Sequence, residues 1–177
     1  MVRGLKMIVL TLLALLPLGT LAVSAQSPDE IVRSPKVRKA LEFIRAIEPE
    51  TIEEQIRTAE IPAPTFKEGK RAEYYKRRFS ELGLSKVRID AAGNVIGERP
   101  GSDPRETLVI AAHLDTVFPE GTDVKVKRNG NLLTGPGIGD DARGLAVMLA
   151  VIRALNEAKI ERRDNIVFVG DAGEEGL

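Results

Sequence analysis

Ala111–Phe118 reads AAHLDTVF, Gly135–Gly144 reads GPGIGDDARG, and Gly173–Leu177 reads GEEGL. Each of these acidic stretches follows an apolar run. Val109–Ala112 and Ile166–Val169 read as buried strands, and Leu145–Leu155 reads as a buried helix entered from Asp140 and Asp141. Helical and extended segments alternate along the chain. The expected class is therefore α/β, with a mixed, largely parallel sheet flanked by helices. In such sheets, ligands sit in the loops at the carboxyl ends of the strands. One imidazole and several carboxylates are then expected to share one crevice.

Outward from there, bulk properties narrow the chemistry. The chain has 177 residues, one histidine (His113) and no cysteine, so thiolate metal sites and disulfides are excluded. Lys+Arg and Asp+Glu both count 26. Removing residues 1–25 takes away Arg3 and Lys6 and no acid, which leaves a slightly acidic chain. No nucleic-acid partner is expected from that balance.

The amino terminus has a targeting pattern. Arg3 and Lys6 precede the apolar run Met7–Leu18, and Val23-Ser24-Ala25 supplies small residues for cleavage before Gln26. Residues 1–25 are read as a signal peptide, which implies an exported protein, periplasmic or secreted. An uncleaved anchor is the alternative, because the apolar stretch can be extended to the lower limit of about 17 residues for a span. The small-residue site favours cleavage, which leaves no stable membrane span.

From Gln26 the chain begins with a polar, frayed segment to Ser34. Ser34-Pro35 then opens a helix carrying Val37, Ala40, Leu41, Ile44 and Ile47, which Pro49 is expected to close. Thr51–Ala59 is a second helix, and Ile61–Pro64 must be extended. Phe66–Leu82 is a third helix, with Ala72, Tyr75, Phe79 and Leu82 on its apolar side, basic residues opposite, and Gly83 as its stop. Val87–Asp90, Asn94–Gly97 and Thr107–Ala112 read as strands. Val124–Arg128 and Leu132–Thr134 flank the turn signal Asn129-Gly130. Leu145–Ala158 and Asn165–Gly170 complete the pattern as helix and strand. A chain that stops on an acidic loop just past a strand reads as a fragment of a longer protein.

The three loops suit divalent metals. His113 and Asp115 are two residues apart on an extended segment, so their side chains point the same way. A carboxylate in that place orients a metal-bound imidazole. One of Asp140 and Asp141 can cap the following helix, and the second needs another explanation, such as bridging two cations. Glu174 and Glu175 can divide between ligand and general base. Two other readings stay open. Gly137-Ile138-Gly139-Asp140-Asp141-Ala142 fits the glycine pattern of a dinucleotide-binding, Rossmann-like module, although two aspartates stand where a pyrophosphate needs a positive helix end. An exported, non-catalytic binding module would keep the sheet and not the chemistry.

Taken in order, His113-Leu114-Asp115, Gly137-Ile138-Gly139-Asp140-Asp141 and Gly173-Glu174-Glu175-Gly176-Leu177 resemble the co-catalytic zinc exopeptidases and deacylases. That group includes aminoacylase, peptidase T, bacterial glutamate carboxypeptidase and acetylornithine deacetylase. The likeness runs over about Ile31–Leu177. It implies two zinc ions, with cobalt or manganese also compatible, and a peptide or N-acyl amino acid substrate. It implies that His113 holds one zinc, Asp140 bridges both and Glu175 holds the other. Asp115 would orient His113, and Glu174 would be the general base. The family also has an acidic ligand, a distant histidine and a small dimerisation domain beyond the Glu-Glu motif. Residues 26–177 are accordingly expected to be the amino-terminal part of a catalytic domain, inactive alone, from a parent that could form a homodimer.

Overall fold

The computed structural model describes residues 27–176; the signal-peptide reading of residues 1–25 lies outside them. Ser27 opens a short helix, α1 (Pro28–Arg33), through a capping box in which Ser27 Oγ accepts from Glu30 N and Glu30 Oε2 accepts from Ser27 N. This segment is helical where fraying was expected. Helix α2 (Pro35–Ala46) follows, then α3 (Glu48–Ala59). Pro49 lies in the first turn of α3, where its missing N–H has no cost, so it opens that helix instead of closing α2. After α4 (Gly69–Glu81), Gly83 takes the left-handed conformation and ends the helix as expected.

The main sheet contains β1 (Ser85–Ile89), β2 (Val95–Arg99) and β3 (Thr107–His113). A separate hairpin pairs β4 (Lys127–Asn129) with β5 (Leu132–Thr134) across Gly130-Asn131. Its first strand is shorter than Val124–Arg128, because Val126 N donates instead to Glu60 Oε1 at 3.1 Å. Helix α5 (Ala142–Glu157) and β6 (Asn165–Asp171) complete the order. No helix among the described residues is long and apolar enough to cross a membrane.

The main sheet runs β1-β2-β6-β3. The mixed character stands, but the balance is opposite to the one expected: only β3 and β6 pair in parallel, while β1–β2 and β2–β6 are antiparallel. The two apolar runs form the parallel pair. The Asp90–Asn94 turn then delivers β2 to the other side of β6 as the second arm of a hairpin.

Core residues Val95, Ala112, Ile166 and Phe168 occupy one face of the sheet, packed with Tyr75 and Phe79 of α4 and Leu145, Leu149 and Ile152 of α5. Gly97 belongs to the same face, and a Cβ there would lie 2.7 Å from Leu84. Among the described residues the flanking helices cover one face of the sheet. Val109 is 58% exposed and Leu108 44%, which corrects the reading of Val109–Ala112 as a buried strand. An apolar run specifies a strand, but burial depends on what packs against it, and β3 is an edge.

Two buried polar groups were not anticipated. Thr58 and Tyr75 hydroxyls bond at 2.8 Å inside the core. Arg71, on the side of α4 assigned to solvent, is buried and donates to Leu114 O and Ile61 O.

Candidate metal centre

The parallel register sets His113 opposite Asp171 at the ends of β3 and β6. Leu114 N donates to Asp171 O, so the chain leaving β3 stays beside the chain leaving β6. Thr116 then bridges to Pro64, and its N–H donates to Ala63 O at 2.9 Å. The extended Ile61–Pro64 segment thereby lies along the loop after β3.

The glycine-rich loop approaches from another side. Gly137 has φ +66°, and a Cβ there would lie 2.6 Å from Thr116 Cγ2, so glycine is required on both counts. Gln55 Nε2 of α3 donates to Ile138 O at 2.6 Å, and Arg143 reaches both Gln55 Oε1 and Glu48 Oε1. These bonds tie the loop to α3.

The two aspartates that follow have separate tasks. Asp141 caps α5, its Oδ1 accepting from Gly144 N at 2.8 Å. Its carboxylate therefore occupies the helix end that a pyrophosphate would need, which counts against the dinucleotide reading. Asp140 is 80% exposed at its side chain and accepts from His113 Nε2 at 2.8 Å. Burial raises the pKa of Asp141, opposed by its bond to Gly144 N and the nearby His113.

His113, Glu174 and Glu175 each bring one ligand atom into a group whose members all lie within 4.8 Å of one another. An imidazole nitrogen and carboxylate oxygens are a donor set for zinc, cobalt or manganese. Asp140 adjoins this group through His113. The expected residues therefore converge, and the Glu174–Gly176 segment presents its two acids from a single 3₁₀ turn.

Asp115 is fully buried, with Oδ1 3.4 Å from His113 Nδ1. Its hydrogen bonds go elsewhere: Oδ1 accepts from Glu174 N at 3.2 Å and Oδ2 from Glu175 N at 3.0 Å. His113 Nδ1 has no partner. Burial lowers the His113 pKa, but the bond to Asp140 and the charges of Asp141, Asp115 and Asp140 outweigh it, and the net shift is upward.

The donors fit a cation on one further count. Were His113 to hold a cation through Nε2, its ring proton would lie on Nδ1, 3.4 Å from the buried Asp115 carboxylate. A cleft of about 370 Å³ opens beside the group, bordered by Asp140 and Glu175 and walled by Val117, Phe118 and Ile138.

Four positions near the centre were not read from the sequence: Gln55, Phe66, Glu68 and Arg71. Thr65-Phe66-Lys67-Glu68 carries the S/T-x-x-E spacing of a capping box, which could have drawn attention to Glu68. In the structure Glu68 instead accepts from Phe66 N and Gly173 N.

Residues 94–177 match the profile of Peptidase family M28. A putative LysW-lysine/LysW-ornithine hydrolase of Pyrococcus abyssi is 37% identical over 118 residues, 67% of this chain and 31% of that protein. Carboxypeptidase G2 of Pseudomonas sp. is 28% identical over 109 residues, 58% of this chain and 26% of that one. Among solved structures, the aminopeptidase PepT of Bacillus cereus superposes with a TM-score of 0.63 at 26% identity, covering 72% of this chain and 37% of PepT. The chain thus spans about a third of the length of these proteins. Three ordered motifs, a shared fold and these relatives agree on one likeness: the chain is similar to part of the exopeptidases and acyl-amide hydrolases that its acidic loops resemble.

Proposed function

We propose that the protein is a metal-dependent hydrolase of peptide or N-acyl amide bonds, with its centre at His113, Asp140, Glu174 and Glu175. The observation that carries this reading is the convergence of His113, Glu174 and Glu175 donor atoms within 4.8 Å, with Asp140 bonded to the same imidazole. Parallel pairing of β3 with β6 brings these strand ends together, and the side chains it gathers there are an imidazole and two carboxylates with a third beside them.

In this reading His113 would hold one cation, Glu175 would hold another, and Asp140 would be shared between them. A bound cation supplies Lewis acidity and lowers the pKa of coordinated water. Glu174, the more exposed of the two glutamates, takes the proton from the attacking water and passes it to the leaving amine. Asp115 orients His113 and carries no proton in the reaction. Zinc is the expected ion and a pair the expected number. His113, Asp140 and Glu175 would give each of two ions only two protein ligands, fewer than the three a catalytic zinc site typically has. The apolar cleft walled by Val117, Phe118 and Ile138 lies where the substrate would enter. Export through residues 1–25 belongs to the same proposal.

Calorimetric titration of the chain with zinc and cobalt tests the centre. Binding that is lost in His113→Ala and Glu175→Ala supports it; no binding to the wild-type chain at micromolar metal overturns it. Hydrolysis is tested on the full-length protein with dipeptides and N-acyl amino acids, with and without a chelator.

A further inference from the structure

The Glu174-Glu175 turn is held from beneath by two buried carboxylates. Three consecutive backbone N–H groups point at them: Gly173 N donates to Glu68 Oε1 at 3.1 Å, Glu174 N to Asp115 Oδ1 and Glu175 N to Asp115 Oδ2. Glu68 is only 6% exposed, so its ionised form is costly unless hydrogen-bonded. The same oxygen also accepts from Phe66 N at 2.7 Å. Buried Arg71 sets a positive charge near both Glu68 and Asp115.

Phe66 makes the second half of the clamp. Its φ is +62°, an outlier for a bulky residue, and its side chain is 74% exposed. Neither property suits a residue that only links a loop to α4. Its ring, however, lies over the turn: a Cβ on Gly173 would fall 2.6 Å from Phe66 Cε1, and one on Gly176 2.5 Å from Cζ. The bond from Phe66 N to Glu68 and the one from Lys67 N to Pro64 O at 2.7 Å fix the unusual backbone. Strain held in place by surrounding bonds is found where a site needs it.

From these contacts we infer that Glu68 and Phe66 are positioning residues for the metal centre: Glu68 pins the turn through Gly173 N–H, and Phe66 caps it from outside, so that Glu174 and Glu175 face His113 before any cation arrives. This rests on the reading of Glu174 and Glu175 as metal-site residues. Neither Glu68 nor Phe66 is among the residues whose ligand atoms converge.

The test uses the 177-residue chain with Glu68→Ala, Glu68→Gln and Phe66→Gly, and two measurements. Amide hydrogen exchange in the metal-free chain reads the turn directly. Cobalt titration followed by its visible absorption reads the centre. Glu68→Ala should speed exchange at Gly173 with no change at Leu149 in α5, and weaken cobalt binding by about tenfold or more, as loss of an outer partner does. Glu68→Gln keeps an acceptor oxygen and should restore most of both. Phe66→Gly relieves the backbone strain, so thermal stability should hold or rise while cobalt affinity falls and Gly176 exchanges faster. A structural role alone would not separate those two readouts. If Glu68→Ala fails to fold, Phe66→Gly and Glu68→Gln carry the test. Unchanged Gly173 and Gly176 exchange in the variants that fold overturns the inference. Cobalt failing to bind wild type while exchange changes as expected would instead sink the metal reading and leave the clamp standing.

Discussion

His113 Nε2 and Asp140 Oδ1 are 2.8 Å apart, joining the end of β3 to the loop ahead of α5 across 27 residues of chain. Under the proposed function the same two side chains would turn to a cation instead of to each other. The bond sets a measurable property. The net pKa shift of His113 is upward, because Asp140, Asp141 and Asp115 outweigh the effect of burial. A raised folded-state pKa adds stability that is fully present below the ordinary imidazole value of about 6.5 and is lost as pH rises through the folded value. The chain has one histidine, so a proton NMR titration yields a single ring C2–H curve. Its midpoint should lie above 6.5 in the wild type, move down in Asp140→Asn, and vanish from the accessible range when zinc is added.

Gly137 and Gly139 stand two residues apart in one loop and should respond oppositely to the same change. Gly137 combines φ +66° with a Cβ position 2.6 Å from Thr116 Cγ2, whereas a Cβ on Gly139 meets nothing within 4 Å. Gly137→Ala should lose about 1–2 kcal/mol from the left-handed backbone alone, with the contact adding to it. Gly139→Ala should stay within about 0.5 kcal/mol of wild type. Urea denaturation midpoints compare the two. Metal titration should show weaker binding in Gly137→Ala, since a Cβ at Gly137 would also press on the Asp140 carbonyl at 3.3 Å.

Much of this arrangement was legible from residue order. His113 and Asp115 could be placed together because period-two alternation and an apolar run define β3, and Asp140 and Asp141 because an apolar helix must begin with a cap. Sheet direction was not legible in the same way. An apolar run such as Ile166–Val169 specifies a strand but not the sense of its neighbours, and β2, the second arm of the hairpin turned at Asp90–Asn94, pairs antiparallel with β6. Glu68 was hidden for a different reason. Its partner Gly173 is 105 residues away, and a backbone N–H leaves no signature in a side-chain pattern. Arg71 was misread because a helix with many basic residues looks uniformly solvated, while one of them turns inward to satisfy Leu114 O and Ile61 O.

The hydroxyl pair Thr58–Tyr75 anchors α3 to α4 in the core at 2.8 Å, with both residues inaccessible to solvent. Removing one partner leaves the other buried and unsatisfied. Tyr75→Phe should therefore cost about 1–3 kcal/mol. Adding Thr58→Val replaces the orphaned hydroxyl with a methyl of similar shape. The double variant should recover part of that loss, and a double-mutant cycle from chemical denaturation measures the coupling. Burial raises the Tyr75 pKa well above the ordinary phenol value, so this bond should persist to alkaline pH.

The edge strand β3 carries a different kind of liability. Among the described residues Leu108 and Val109 are exposed on an edge with no further strand beside it, and Val109 shares the face away from the helices with Ala111 and the half-buried Val167 and Val169 of β6. Exposed apolar edges template pairing with another chain, and natural proteins blunt them with charge. The 177-residue chain should therefore self-associate as its concentration rises, by pairing through β3. Val109→Lys places a charge at the exposed centre of that edge without touching the helix-covered core, so its denaturation midpoint should stay close to wild type. Sedimentation velocity should show the variant monomeric where the parent sequence forms larger species. Equal association in both would remove β3 as the contact, because the substitution leaves every other exposed apolar residue in place.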